Sequence, residues 1–296
     1  MQPLLFAHGL KHWLALVALL ALLTGLTPLV AADNEPVVKQ LVYRHTPQAE
    51  LKLHVHYPPE WKATDTRAAI VFFFGGGWNA GKVEQFERQA AYLASRGMVA
   101  ARADYRVKTR HGVSPDECVR DAQSAVRYLR QHASELGIDP QRIVASGGSA
   151  GGHLAATCGI SPPLKSDDAN ANISCAANAY VLFNPALNIA SIPQAVERLN
   201  NDTALAKQIS PTLHLTKQTP PVIMFFGSAD ALITHGEEFV AAAKPLGVRA
   251  ELVTTADVGH GFFNKSPYTE QTLLRVDEFL VSLGYLTGKP TLKVQE

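Results

Sequence analysis

A serine hydroxyl becomes a useful nucleophile when a histidine takes its proton and a carboxylate holds that histidine in place. This chain carries all three residue types where such chemistry would need them. Ser149 stands in Gly147-Gly148-Ser149-Ala150-Gly151, directly after the expected strand 142–145 and before the apolar stretch 153–157. The string G-x-S-x-G is weak by itself, but a serine on a sharp strand-to-helix turn has its hydroxyl pushed out at the top of a sheet. The flanking glycines are then needed because side chains there would collide. The plain alternative is a glycine-rich turn that only packs a helix close to a strand. A second cluster, Phe73-Phe74-Gly75-Gly76-Gly77-Trp78, also sits at a strand end. Consecutive glycines let backbone N–H groups converge on one point, as the oxyanion of an acyl-transfer intermediate requires. They would cradle a phosphate equally well, but Gly81-Lys82-Val83 lacks the Lys-Ser or Lys-Thr of a phosphate loop. A tight turn without chemistry stays open.

The base and the acid are sought in loops that follow strands. Asp230 lies in Gly227-Ser228-Ala229-Asp230 after the run 222–226, and His260 in Gly259-His260-Gly261-Phe262 after 252–255. Of eleven histidines, His260 is the one after Asp230 with glycine on both sides; His235 follows Asp230 too closely to come from a separate strand end. Asp257, three residues before His260, is the rival acid. The order Ser149, Asp230, His260 is the chain order of the nucleophile-elbow fold.

These residues need a scaffold that brings strand ends together. Leu51, Leu53, Val55 and Tyr57 alternate with polar residues, the period of a half-buried strand, and segment 38–44 reads as its hairpin partner. Later the pattern becomes short unbroken apolar runs at 69–74, 98–103, 143–145, 179–183 and 222–226, which suit strands buried on both faces of a parallel sheet. Helical segments separate them. Segment 116–132 has an apolar stripe at Cys118, Ala122, Ala125, Val126 and Leu129, with Ser114 as expected N-cap and Glu117 completing a capping box. Segments 237–246 and 269–283 read as further helices. The fold class expected is α/β, with a mixed, mainly parallel sheet covered by helices on both faces.

Composition bounds the rest. The chain has 296 residues, 47% of them hydrophobic, with 27 Lys plus Arg against 26 Asp plus Glu. Disorder and collagen-like repeats are excluded, and a net charge of +1 gives no electrostatic reason to expect nucleic acid. Residues 1–32 carry one charge, Lys11, an unbroken apolar run at 14–23, a break at Pro28 and small residues at Val30-Ala31-Ala32. This reads as a secretory signal peptide, with an uncleaved anchor as the rival, and so points to a secreted or periplasmic protein. Stable membrane association is not expected once the segment is cleaved. Residues 33–296 are expected to form a single domain with a small cap-like insertion around 188–216. Export permits disulfides, and Cys118, Cys158 and Cys175 leave open either a Cys158–Cys175 staple or three buried thiols. No pair has the C-x-x-C spacing of a metal or redox site, and no metal is expected.

Taken together, F-F-F-G-G-G-W, G-G-S-A-G-G-H, I-D-P-Q-R-I, G-S-A-D and G-H-G-F resemble the α/β-hydrolase-fold serine carboxylesterases related to hormone-sensitive lipase and to bacterial feruloyl and acetyl xylan esterases. The resemblance runs from about residue 37 to residue 283. It implies Ser149 as nucleophile, His260 as base and Asp230 as acid. It implies an oxyanion hole made by the amides of Gly76, Gly77 and Ala150. Neither a metal nor an organic cofactor is implied. Many relatives carry His where this chain has Phe74, a departure that favours the polysaccharide-esterase branch over a generic lipase. The function expected is hydrolysis of short-chain acyl esters, on small molecules or on plant polysaccharides. A serine peptidase of the prolyl oligopeptidase type and a non-catalytic binding module are the alternatives, the first lacking a long N-terminal propeller region here. Trp61 and Trp78 are candidates to stack on sugar rings or to be ordinary packing. Between the runs 179–183 and 222–226 lie 38 mostly polar residues, with room for about one short helix near 194–206.

Overall fold

A computed structural model describes residues 38–166, 168 and 170–292 of the chain. The expected signal segment, residues 1–32, lies outside the described residues. The hairpin expected at the start of the fold is present: β1 (Val38–His45) pairs antiparallel with β2 (Glu50–His56). Then come β3 (Arg67–Phe73), α1 (Glu87–Ser95), β4 (Val99–Ala103), α2 (Pro115–Gln131), β5 (Ile138–Gly148), α3 (Ala150–Thr157) and β6 (Ala179–Phe183). The chain continues through α4 (Pro193–Arg198), α5 (Thr203–Gln208), β7 (Val222–Gly227), α6 (Ile233–Ala243), β8 (Ala250–Thr255) and α7 (Tyr268–Ser282). The eight strands form one sheet in the order β1-β2-β4-β3-β5-β6-β7-β8, antiparallel where β2 meets its neighbours and parallel from β4 onward.

The unbroken apolar runs have a simple cause. In β3, Ala69, Val71 and Phe73 enter one core while Ala68, Ile70 and Phe72 enter the other, because successive side chains leave a strand on opposite faces. Both faces are covered, so apolar residues prevail on each, and the buried Arg102 of β4 is held by His56 and Glu87. The first core is closed by α2 and α3, which contribute Cys118, Ala122, Val126, Leu129 and Leu154. The second is closed by α1 and α7 through Leu93, Leu273, Val276 and Leu280.

Three local expectations are corrected. Ser114 precedes α2, but its side chain makes no cap bond to the helix; it donates to Asp116, and Glu117 is drawn away to Arg106 and Arg120. The capping box fails because nearby guanidinium groups offer its glutamate a stronger, charge-assisted partner. The single helix expected near 194–206 is two helices, α4 and α5, of six residues each. Asn200 and Asn201, with φ of 54° and 59°, break the run, and Asp202 restarts it by accepting from the Leu205 amide at 2.9 Å. The helix expected at 237–246 begins earlier, at Ile233.

Candidate active site

Ser149 occupies the one-residue turn between β5 and α3 with φ of 54° and ψ of −117°, a conformation that non-glycine residues seldom adopt. The neighbouring glycines explain how such a turn is packed. A Cβ on Gly151 would stand 2.0 Å from the Phe73 carbonyl oxygen, and one on Gly147 would stand 2.4 Å from the carbonyl oxygen of Gly151. The turn is thereby pressed against the end of β3, and the Ser149 amide donates to the Phe183 carbonyl of β6 at 2.8 Å. Backbone strain here is held by close contact on two sides.

The structure brings the three expected side chains together across the ends of three strands. Ser149 Oγ lies 2.8 Å from His260 Nε2, and His260 Nδ1 lies 2.8 Å from Asp230 Oδ2. Because a carboxylate only accepts, Nδ1 carries the proton and Nε2 presents its lone pair to the serine. Asp230 is buried, and its other oxygen accepts from the Leu232 amide at 2.8 Å, which fixes the carboxylate plane. The acid and base loops are stitched to each other: Ser228 N donates to Thr255 O, Ala229 N to Val258 O and Asp257 N to Ser228 Oγ. That last bond accounts for the rival acid. Asp257 shapes the turn through its backbone, with φ of 57°, while its carboxylate is exposed and has no recorded bond to His260. His235 is also outside the site, accepting the Leu187 and Asn188 amides at the root of the cap.

The glycine loop after β3 completes the arrangement. Gly76, Gly77 and Trp78 have successive φ values of 128°, 61° and 57°. Four side chains clamp this turn. Gln85 Oε1 accepts from Gly75 N at 2.6 Å, Tyr105 Oη donates to Phe74 O at 2.7 Å, Arg198 of α4 donates to Gly77 O, and Trp78 Nε1 donates to His153 Nδ1 at 3.1 Å. Phe74, where many similar chains carry His, holds its place by stacking on Tyr105 at 4.0 Å between ring centres. Among the described residues the amides of Gly76, Gly77 and Ala150 have no acceptor, the condition for receiving a negative oxygen from outside. Trp78 is buried and its N–H is used, so it is packing and not a sugar platform. Trp61 packs on Tyr57 and donates to Leu136 O near the amino end of β5, away from Ser149. The three cysteines are free and buried, without the Cys158–Cys175 staple.

His153 belongs to this frame as well. Its Nε2–H donates to the Ile209 carbonyl of the cap segment at 2.7 Å while Nδ1 accepts from Trp78, so it is a neutral strut between cap and glycine loop. Burial lowers its pKa to about 4. Sequence reasoning assigned no role to His153, Gln85, Arg198 or Asn184. Asn184, the first residue after β6, is buried, with φ of 37°; its Oδ1 accepts from Gly261 N at 3.0 Å and its Nδ2 lies 3.3 Å from His260 Nε2. A polar residue directly after a buried strand, at the edge where the other site loops gather, is the signal that would have found it.

A hollow of about 280 Å³ adjoins the site, lined by Val258, Gly259, His260, Phe262, Lys265 and Tyr268. A larger one, about 740 Å³, is lined by residues that precede β6 and β7, at the opposite end of the sheet from Ser149.

Comparison with known proteins agrees with this geometry. Residues 53–240 match the BD-FAE family. A thermophilic esterase of Thermogutta terrifontis, Est2, is similar in structure, with a TM-score of 0.80 and 45% identity over 86% of this chain and 97% of that one. Another structure of it, described as phosphonylated by sarin, gives a TM-score of 0.81 at 44% identity, covering 86% of this chain and 98% of that one. Among curated proteins, a probable isoprenylcysteine alpha-carbonyl methylesterase of Arabidopsis thaliana is 26% identical over 73% of this chain and 49% of its own length. The carboxylesterase NlhH of Mycobacterium tuberculosis is 31% identical over 36% of this chain and 33% of its own. The chain thus spans about half the length, or less, of these curated relatives. By its eight-stranded sheet, its elbow and these matches, the chain belongs to the BD-FAE family and has the α/β-hydrolase fold of the serine esterases.

Proposed function

We propose that this protein is a serine carboxylesterase that hydrolyses short-chain acyl esters through an acyl-enzyme on Ser149. The observation that carries the reading is the unbroken relay from Ser149 Oγ to His260 Nε2 and from His260 Nδ1 to Asp230, each link 2.8 Å long. In the first step Ser149 Oγ attacks the ester carbonyl carbon as its proton passes to Nε2. The carbonyl oxygen becomes an oxyanion within reach of the amides of Gly76, Gly77 and Ala150. His260 then gives the proton to the departing alkoxide, and a water molecule repeats the sequence on the acyl-enzyme. Asp230 orients the imidazole and steadies its positive charge between these transfers.

The short acyl group is supported by the Thermogutta esterase, which is described in complexes with propionate and with butyrate. The finer reading, an exported enzyme acting on acetyl or feruloyl groups of plant polysaccharides, is supported by Phe74 in place of the histidine of many lipase-like chains. It is also supported by the leader-like composition of residues 1–32.

Hydrolysis of 4-nitrophenyl acetate by the wild-type chain and by Ser149→Ala tests the proposal. The variant should fold, react with no fluorophosphonate probe, and lose about 10⁴-fold or more in kcat/KM. Wild-type turnover in Ser149→Ala would overturn it. Release of acetate from acetylated xylan, set beside ferulate from feruloylated arabinoxylan, sorts the finer reading.

A further inference from the structure

The base at the centre of this relay has a neighbour that the relay does not require. Asn184 has no exposed surface, and its amide orientation is dictated by its partners. Gly261 N donates to one end at 3.0 Å, so that end is the oxygen, and the NH₂ group must face His260 Nε2 at 3.3 Å. The backbone of Asn184 is pinned too, its N–H donating to Phe225 O at 2.7 Å, so the amide has little freedom to turn away.

We infer that Asn184 is a positioning residue that keeps His260 neutral, with its Nε2 lone pair facing Ser149, an inference that rests on the esterase reading above. The sign follows from the donor. An N–H dipole aimed at Nε2 attracts the lone pair of the neutral ring and repels the N–H of the imidazolium. Asn184 therefore resists protonation of the base by solvent and hastens the return of a proton taken from Ser149 to the leaving alkoxide. The same side chain, by holding Gly261 N, fixes the residue that follows His260 and so the ring's approach.

The other ionisable groups around His260 do not duplicate this action. Asp230, from the loop after β7, faces Nδ1 and favours the imidazolium. His235 of α6 is near enough to Asp230 to feel its charge, but its ring is engaged by the Leu187 and Asn188 amides. Lys265 and Tyr268 share the hollow beside His260, and Asp257 of its own loop is exposed. Asn184 is thus the one recorded donor besides Ser149 at Nε2.

Asn184→Asp reverses the device with almost no change of shape, because aspartate also tolerates the left-handed backbone. One carboxylate oxygen would keep Gly261 N while the other would hold a proton on Nε2. The acid limb of kcat/KM against pH should move up by about one unit or more, with kcat/KM at pH 7 at least tenfold lower and recovering as pH rises. Asn184→Gly relieves the backbone and removes the amide; its limb should move up by a smaller amount, with kcat falling while KM stays within about twofold. The His260 ring is also titrated directly by NMR in the full chain, wild type and both variants. An Asn184→Gly titration shifted upward supports the inference, and Asn184→Asp shows the largest shift that this position can impose. Superimposable titrations and limbs in the wild type and Asn184→Gly, with only the height of the profile changed, overturn it and leave Asn184 a structural residue. If the wild type hydrolyses no ester, the functional reading fails, yet the NMR titration still decides what Asn184 does to the ring.

Discussion

The elbow around Ser149 and the cap between β6 and β7 both bear on the glycine loop, yet they are built differently. At the elbow the backbone is strained and every side is filled: α3 is buried throughout, and its glycines sit against carbonyl oxygens where no methyl group would fit. In the cap, α4 buries only Ala195 and α5 only Ala206; the segment is held to the body by the irregular residues around them, Leu187, Ile189, Leu199 and Ile209, which enter the first core, and by polar contacts through Arg198, His153 and His235. The difference teaches where precision is needed. The atoms that exchange a proton must stay within tenths of an ångström, whereas the cap takes no part in that exchange, and its two short helices can adapt at less cost than the elbow.

The sharpest test of the precise end concerns its carboxylate. Asp230→Asn keeps the shape but offers an amide that holds the wrong tautomer of His260. By analogy with the same change in the serine-protease triad, kcat/KM should fall by about 10⁴. Asp257→Asn should stay within about threefold, since that carboxylate is exposed and takes no recorded part in the relay. Steady-state kinetics on one ester, run for both variants, gives the ranking. Equal losses would mean that the two loops act only as a folded unit.

This pair of aspartates also shows how much was legible beforehand. Its position directly after a strand points to Asp230 over Asp257, and the sheet gives that a physical basis, since β7 ends beside β6 and the elbow of β5. Five of the six parallel strands were readable because burial on both faces leaves a largely apolar run; β8, only partly buried, has none. The break between α4 and α5 was not, because it depends on two asparagines taking a left-handed backbone that the sequence merely allows. Gln85 and Arg198 were invisible for a different reason. Their partners lie 10 and 121 residues away in the chain, and nothing local marks either polar side chain as one half of such a contact.

The junction of the two regions should respond to acid. His153 is neutral in the folded protein, its pKa lowered to about 4 by burial, against an ordinary value of about 6.5 in the unfolded chain. Between those values the unfolded state binds the extra proton, so the unfolding free energy falls as pH drops from about 6.5 to about 4. This group alone accounts for a loss of about 3 kcal/mol by pH 4. Protonation would also set an N–H against the indole N–H of Trp78, loosening the strut between cap and glycine loop. Urea unfolding at several pH values should show a steeper acid loss in the wild type than in His153→Gln, which has no proton to gain. His56, whose pKa is likewise lowered to about 4 by burial and by Arg102, acts over the same window, so the difference between the two proteins is the informative quantity. Parallel curves would mean that His153 is protonated without cost.

The smallest expected effect bears on the adaptable end and turns on what a cap of this size can bury. A long acyl chain gains about 0.8 kcal/mol for each methylene it removes from water, provided an apolar trench receives it. Two helices of six residues, each with one buried alanine and separated by Asn200 and Asn201, do not make a continuous trench. Arg198 further commits the inner end of α4 to the Gly77 carbonyl, placing a cation and not an aliphatic wall beside the glycine loop. Affinity should therefore rise over the first few carbons and then stop, after which added carbons meet solvent or the cap itself. Acetyl to butyryl esters should be the best simple substrates, and octanoyl or longer esters should be at least tenfold poorer in kcat/KM, a difference of about 1.4 kcal/mol. Measuring kcat/KM across acetyl, butyryl, octanoyl and palmitoyl 4-nitrophenyl esters checks it directly. A maximum at octanoyl or beyond would require the cap to rearrange around the chain into a lipid-binding trench. In that case the cap, and not the elbow, would set what this enzyme acts on.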